Sequence, residues 1–209
     1  MDNGYSITRD KFLSPDEVRQ LLKVCEEKAI VDTAKGRKTW VTRAFLIHFA
    51  LYTGLRVSEI ADLCIGDLYL TGISDSYLVV RKGKGNKKRS VYIDAQTKKY
   101  IKNYLEYKKK VEFLSMDANA PVLAKSNGEK YTTTALYLSF KQAIKAANLP
   151  SHYSIHSARH TYATLLLNKT GGNLRFVQRQ LGHASLNMTT LYADILPEQN
   201  QNLANSIIK

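Results

Sequence analysis

Apolar residues recur at helical spacing along most of the chain, and several of these segments have clear start or stop residues. Ser14, Pro15 and the two acids that follow form a strong helix start, because a capping hydroxyl, a proline at the first position and early acids all stabilise that end. Gly54 ends a largely apolar helix, as glycines commonly do. The pattern predicts helices over about residues 14–27, 40–52, 55 onward, 96–113, 132–147, 155–168 and 173–181.

Strand-forming residues are concentrated in two short segments near the middle of the chain. β-branched and aromatic residues fill 77–80 and 89–93, and the stretch between them contains Gly83 and Gly85. This pattern predicts a β-hairpin with a basic turn, and residues 122–123 can form a further short strand. The predicted fold class is therefore α+β, mainly α-helical, with a small antiparallel β-sheet.

Composition and charge indicate a globular protein with a polyanionic partner. The chain has 209 residues, 44% of them hydrophobic, which is enough to bury one good core. The formal net charge of +13 favours nucleic acid or an acidic membrane surface, and charge alone does not separate the two. Six of the nine residues from Arg81 to Arg89 are basic, without the amphipathic aromatic face of a membrane anchor. An isolated lysine run most often serves solubility, so the choice depends on what chemistry accompanies it.

Cysteine use and the lack of a long apolar segment bear on location. Cys25 and Cys64 are the only cysteines, and both lie in apolar helical patterns, which predicts two buried free thiols in a reducing compartment. No stretch of about 18 apolar residues occurs, and the first residues lack the apolar core of a signal peptide. We expect a cytoplasmic protein that is not secreted.

Six side chains of types that suit phosphodiester chemistry are spread along the chain. Arginines and a lysine can hold and neutralise a phosphate, histidines can move protons or donate hydrogen bonds, and a tyrosine can form a covalent ester with phosphorus. No single member is diagnostic, but the combination is. The six, in chain order, are Arg56, Lys84, His156, Arg159, His183 and Tyr192.

The residues around these six are more specific than the residue types alone. The motifs are Thr-Gly-Leu-Arg-Val-Ser-Glu at 53–59, Gly-Lys-Gly-Asn-Lys at 83–87, His-Ser-Ala-Arg-His at 156–160, Leu-Gly-His at 181–183 and Leu-Tyr at 191–192. With these motifs the chain, from about residue 12 to 197, strongly resembles the tyrosine recombinases, also called the phage integrase family. The resemblance implies the catalytic fold of DNA breaking and rejoining enzymes.

The resemblance also implies a mechanism without metal, ATP or another cofactor. Tyr192 would attack the scissile phosphate and form a 3′-phosphotyrosyl bond, with His156 as our candidate base. Lys84 matches the family's general acid, and Lys82, Lys87 and Lys88 are local competitors for that role. The stabilisers of charge on the transition state would be Arg56, Arg159 and His183.

Two neighbouring residues are expected to support this site. Glu59 lies one helical turn after Arg56, and the resemblance implies that it orients the Arg56 guanidinium, although an ordinary surface pair at this spacing is an equally good interpretation. His160 is expected to be a structural hydrogen-bonding residue. His156 and His160 have a spacing also used by zinc ligands, but no zincin glutamate or third ligand accompanies them, so no metal site is predicted.

The expected partner is double-stranded DNA carrying a specific recombination site. Beside a phosphate-handling set of residues, the basic hairpin is better interpreted as a DNA-binding surface than as a solubility feature; its proposed DNA-binding residues are Arg81, Lys82, Lys87, Lys88 and Arg89. The resemblance further implies a homo-tetramer on DNA and a monomer without it, in the nucleoid-associated cytoplasm of a prokaryote.

The expected organisation is one catalytic domain over 12–209, preceded by a tail or linker remnant at 1–11 and ending in a tail at 197–209. Family members usually carry an additional N-terminal DNA-clamping domain, so the chain is either a catalytic fragment or a naturally short recombinase. Three other functions stay open: a type IB topoisomerase, a catalytically silent DNA-binding regulator and a metal-dependent nuclease, the last weakened because no acidic cluster is evident.

Overall fold

Two long helices at the start of the chain pack side by side and carry much of the core. In the computed structural model, which describes residues 8–72, 76–81, 88–183, 187–190 and 192, these are α1 (Pro15–Ala34) and α2 (Thr39–Thr53). The predicted helix start is confirmed, because the Ser14 hydroxyl accepts the Glu17 N–H and the Glu17 carboxylate accepts the Ser14 N–H. Helix α1 runs seven residues past its predicted end at 27. No glycine or proline interrupts it before Gly36, which has a left-handed φ of 64°.

A short helix and a small sheet follow α2. Helix α3 (Val57–Asp62) leads to β1 (Leu68–Tyr69), β2 (Tyr77–Val80) and β3 (Arg89–Tyr92), which form an antiparallel sheet in the order β1-β2-β3. The predicted pairing of the hairpin strands is confirmed, with Leu78 opposite Val91 and Val80 opposite Arg89. The hairpin turn, residues 82–87, lies outside the described residues. Strand β1 was not predicted, because two residues are too few to show a periodic pattern.

The other long elements of the described chain are helices, as predicted. The helices are α4 (Ala95–Lys110), α5 (Thr133–Ala146), α6 (Ile155–Lys169), α7 (Leu174–Leu181) and the short α8 (Asn187–Thr190). The predicted short strand at 122–123 is wrong. Both residues are buried, but they form a bend between two isolated β-bridges, Cys64 with Pro121 and Ala124 with Lys130. The mainly helical α+β class with a small antiparallel sheet is confirmed.

Buried apolar residues form two clusters. The larger one joins α1, α2, α4 and α5 to the inner face of the sheet. The smaller one joins α6 and α7 to the residues around Tyr192; its buried members are Phe12, Tyr162, Ala163, Leu167, Val177, Leu181 and Tyr192. This second cluster therefore packs α7 and Tyr192 against α6.

Two expectations from composition can be compared with the structure. Cys25 is buried, and burial raises the pKa of its thiol to about 12. Cys64 is only half-buried, so the prediction of two buried thiols is wrong for that residue, which lies in a loop between α3 and β1. Within the described ranges, no helix combines the length and apolar character needed to cross a membrane.

Candidate active site

Glu59 is the centre of a buried cluster of arginine side chains. Its carboxylate accepts two hydrogen bonds from Arg89, at 2.7 and 2.8 Å, in the side-by-side geometry that makes guanidinium–carboxylate pairs strong. It also accepts the Arg56 backbone N–H at 2.8 Å and Arg56 Nη1 at 3.0 Å. Nη1 of Arg159 lies 4.0 Å from the same carboxylate. Glu59 therefore organises three guanidinium groups and is not an ordinary surface residue.

The charge of Glu59 is maintained by these neighbours. Burial by itself raises the pKa of a carboxyl group, but the hydrogen bonds and charge of Arg89, the N–H of Arg56 and the charge of Arg159 outweigh it. Together they lower the pKa of Glu59 to about 2. Three guanidinium groups thus meet one carboxylate, which leaves an excess of two positive charges in this part of the site.

Arg159 is held by the carboxyl-terminal ends of two helices. Its Nη1 donates to the Gly54 carbonyl at 2.6 Å and its Nη2 to the Leu181 carbonyl at 2.7 Å. Gly54 follows α2 and Leu181 ends α7, where backbone carbonyls lack partners within their own helix and carry partial negative charge. Burial and the nearby positive charge of Arg56 lower the pKa of Arg159 to about 10, and the negative charge of Glu59 partly opposes this decrease. The guanidinium is therefore charged at neutral pH and fixed in place.

Tyr192 is buried beside two histidines. Its hydroxyl lies 2.9 Å from Nδ1 of His160, and the residue is 2% exposed. The rings of His183 and Tyr192 are nearly parallel, with centroids 6.3 Å apart, and Nδ1 of His183 lies 3.0 Å from the Thr189 hydroxyl. Tyr192 and His160 are 32 positions apart in sequence, so this contact follows from the packing of the chain against α6.

Both histidines are neutral near pH 7. Burial lowers the pKa of His160 to about 4, assisted by the positive charge of Arg159. Burial lowers the pKa of His183 to about 3, assisted by the charges of Arg159, Arg56 and Arg89. A neutral imidazole has one nitrogen that accepts a hydrogen bond, so each ring can accept a proton or bind a hydroxyl.

The structure brings most of the six predicted residues to one region. Arg56, Arg159, His183 and Tyr192 are linked through the contacts above, and the expected supporting residues Glu59 and His160 are part of the same network. His156 is exposed in the first turn of α6. Lys84 lies outside the described residues, as do Lys82 and Lys87.

The described residues of the predicted DNA-binding hairpin differ in their surroundings. Lys88 is exposed. Arg81 is half-exposed, and its Nε donates to the buried carboxylate of Asp67 at 2.5 Å. Arg89 faces the interior, with its side chain 12% exposed and its guanidinium on Glu59. The sequence analysis did not predict this contact between Arg89 and the arginine cluster. Arg89 is two positions before the buried Val91, so both side chains lie on the same face of the sheet.

Over the described ranges, no group of three or more His, Cys, Asp or Glu side chains is arranged to hold a metal ion. Both carboxylate oxygens of Glu59, at the centre of the arginine cluster, are occupied by donors of Arg56 and Arg89.

Comparison with known proteins identifies the family of this chain. The profile of the phage integrase family matches residues 11–199. The chain belongs to the phage integrase family. Among curated members, it is 33% identical over 190 residues to tyrosine recombinase XerC of Listeria innocua, covering 90% of this chain and 59% of that protein. It is 29% identical over 185 residues to XerC of Lactobacillus delbrueckii subsp. bulgaricus, covering 88% and 58%.

Solved structures of recombinases share the fold. The post-cleavage complex of XerH recombinase with palindromic difH substrate superposes with a TM-score of 0.74 at 25% identity, over 97% of this chain and 56% of that one. XerA recombinase gives 0.71 at 27% identity, over 95% and 65%. The predicted tyrosine recombinase catalytic fold is confirmed. The chain spans less than two thirds of the length of each of these four relatives.

Proposed function

We propose that this chain is the catalytic region of a site-specific DNA recombinase that cleaves and rejoins strands through a 3′-phosphotyrosyl intermediate, without metal or ATP. The observation that carries the proposal is the buried Tyr192 hydroxyl, 2.9 Å from His160, beside an arginine cluster with excess positive charge. A nucleophile and an anion site thus occur together, which is what phosphoryl transfer to a side chain requires.

In the first step, the Tyr192 oxygen attacks phosphorus and the bond to the 5′ oxygen breaks. A phenol with a pKa of about 10 is only about 0.1% ionised at pH 7, a deficit of roughly 4 kcal/mol that a base and nearby cations must offset. The hydroxyl proton passes to a histidine of α6. His156 is the predicted base, and the 2.9 Å contact makes His160 the second candidate.

The arginines act on the phosphate itself. The side chain of Arg56 is 29% exposed and hydrogen-bonded to Glu59 through Nη1, so its remaining N–H groups can donate to a phosphate. Arg159 carries five N–H donors, and the two helix-end carbonyls occupy two of them. With His183, these groups would stabilise the additional negative charge of the transition state.

The leaving 5′ oxygen needs a proton, which we assign to Lys84 of the hairpin. The phosphotyrosyl bond keeps the energy of the original bond, so a 5′-hydroxyl from a second strand can attack it, restore the phosphodiester and release Tyr192. No step consumes a nucleotide cofactor.

The proposal includes the partner and the assembly. Double-stranded DNA is the substrate, a homo-tetramer forms on DNA from monomers, and the protein works in the nucleoid of a prokaryotic cytoplasm, with residues 12–209 as the catalytic domain. The complexes of XerH with its difH substrate support the choice of DNA. Several phosphate contacts predict a loss of roughly 10³–10⁵ in DNA affinity between 50 and 200 mM salt.

Covalent capture tests the proposal. The protein is incubated in EDTA with a pool of nicked duplexes of random sequence, denatured and examined for protein-linked DNA, beside a Tyr192→Phe variant. We expect adducts from the wild type and none from the variant, and sequencing of the trapped DNA gives the target site. His156→Asn and His160→Asn in the same assay identify the base.

The same experiment separates the alternatives. A DNA-binding regulator forms no adduct and is unaffected by Tyr192→Phe, and a metal-dependent nuclease is inactive in EDTA. A type IB topoisomerase relaxes supercoiled plasmid without joining two sites. The proposal is contradicted if the wild type binds the duplexes but forms no adduct.

A further inference from the structure

Arg89 lies at the point where the hairpin meets the arginine cluster. It is the first residue of β3 and pairs with Val80 of β2, on the side of the sheet occupied by the buried residues Leu78 and Val91. Its side chain therefore points into the protein, where 12% of it is exposed.

Three contacts fix the Arg89 guanidinium. Both oxygens of Glu59 accept from it at 2.7 and 2.8 Å, and its Nε donates to the Gln180 carbonyl at 3.3 Å. Gly182 leaves room for it, because a Cβ at that position would lie 2.7 Å from Cδ and 2.8 Å from Nε of Arg89. The contacts join the base of the hairpin, helix α3 and the end of α7.

Through these contacts Arg89 is connected to the groups that are proposed to bind the phosphate. The Glu59 carboxylate that it holds also accepts two hydrogen bonds from Arg56 and lies 4.0 Å from Arg159. Gly182, against which it packs, directly precedes His183. Loss of the two side-by-side hydrogen bonds from Arg89 would free Glu59 to rotate. It would also remove a positive charge that keeps Glu59 ionised.

We propose that Arg89 is a positioning residue of the strand-cleavage site, which sets the orientation of Glu59 and through it the guanidinium groups of Arg56 and Arg159. This role rests on the proposed recombinase function. It replaces the expectation, drawn from the run of basic residues, that Arg89 binds DNA directly.

A separation of binding from chemistry tests the proposal. Arg89→Gln is compared with the wild type for binding to a fluorescent duplex at several salt concentrations, and for the rate of adduct formation on the nicked duplex pool at saturating protein. A misplaced active-site group typically costs about 10²-fold in rate, so we expect a loss of that order at saturation. Affinity and the slope of affinity against salt should match the wild type.

A second variant and a pH series distinguish positioning from simple structural damage. Arg89→Lys keeps the positive charge but cannot donate two side-by-side hydrogen bonds to Glu59, and it should recover part of the rate. In Arg89→Gln the pKa of the buried Glu59 rises, so its rate relative to the wild type should fall further as the pH is lowered from 8 to 5, whereas Arg89→Lys should show little of this pH dependence. The matched control is Arg19→Gln, which removes an exposed arginine paired with Asp16 on α1 and should behave as the wild type.

Each outcome decides the matter. An undiminished rate at saturation, with weaker binding and a salt slope reduced by about one phosphate contact, would make Arg89 a DNA-binding residue and overturn the proposal. A uniform loss of rate in both variants, independent of pH, would also overturn it. A wild type that forms no adduct contradicts the recombinase function itself and the positioning role with it.

Discussion

A Glu59→Gln variant should be strongly destabilised, because the substitution removes the negative charge that Arg56, Arg89 and Arg159 share while it keeps the shape of the side chain. Glu59 is almost fully buried and accepts four hydrogen bonds from the first two of these residues. Breaking a buried ion pair by removing one partner typically costs about 3–5 kcal/mol. The lowered pKa of Glu59 agrees with this size, since a decrease from 4.5 to about 2 corresponds to about 3 kcal/mol.

Urea unfolding at pH 7, followed by circular dichroism, measures the effect. We expect the free energy of unfolding to fall by about 3 kcal/mol in Glu59→Gln. The matched control is Glu106→Gln, which removes an exposed carboxylate paired with Lys110 and should leave the midpoint unchanged.

The pH dependence tests the cause. The folded pKa of Glu59 is lowered, so the stabilisation by its charge is complete above about pH 4.5 and is lost as the pH falls toward 2. The difference between wild type and Glu59→Gln should shrink over that window. A loss below about 1 kcal/mol at pH 7, or a difference that does not change with pH, would refute the view that Glu59 acts through its buried charge.

Two further predictions concern stability. Gly54→Ala should cost about 2–4 kcal/mol, measured by urea unfolding, because Gly54 has a left-handed φ of 61° and an added Cβ would overlap the Tyr162 ring; a cost below about 1 kcal/mol would show that α2 and α6 readjust easily. Burial lowers the pKa of His48, His160 and His183 from 6.5 to about 4, 4 and 3, so unfolding at pH 5 should take up about three protons at these residues. The stability contributed by these neutral histidines is complete above pH 6.5 and is lost as the pH falls toward their folded pKa values. The free energy of unfolding should therefore decrease steadily from pH 7 to 6 to 5. Equal free energies at the three pH values would contradict the neutral, buried state of these side chains.

Local signals in the sequence predicted the helices well because their start and stop residues act within a few positions. The Ser14 and Glu17 cap and the glycine after α2 are of this kind, and both are present in the structure. Helix α1 extends past its predicted end because residues 28–34 include no glycine or proline that would end a helix. Strand β1 has only two residues, and its pairing with β2 depends on the tertiary fold.

The sequence predicted which residues form the candidate site, but it did not predict which of them contact one another. The resemblance identified the six residues and Glu59, whereas the contacts of Glu59 with Arg89 and of Tyr192 with His160 join residues 30 and 32 positions apart. No local pattern contains such pairs. One signal was available: alternation along β3 places Arg89 on the same side as Val91, and a charged residue on a buried face requires a partner.

Identification of the residue that carries the DNA in the trapped adduct tests the central claim most directly. The adduct formed in EDTA is digested with nuclease and protease, and the modified peptide is sequenced by mass spectrometry. We predict a nucleotide linked through its 3′ phosphate to the Tyr192 oxygen, and no modified peptide from Tyr192→Phe. A phosphodiester bond on another of the tyrosines, or a link through a 5′ phosphate, would contradict the account.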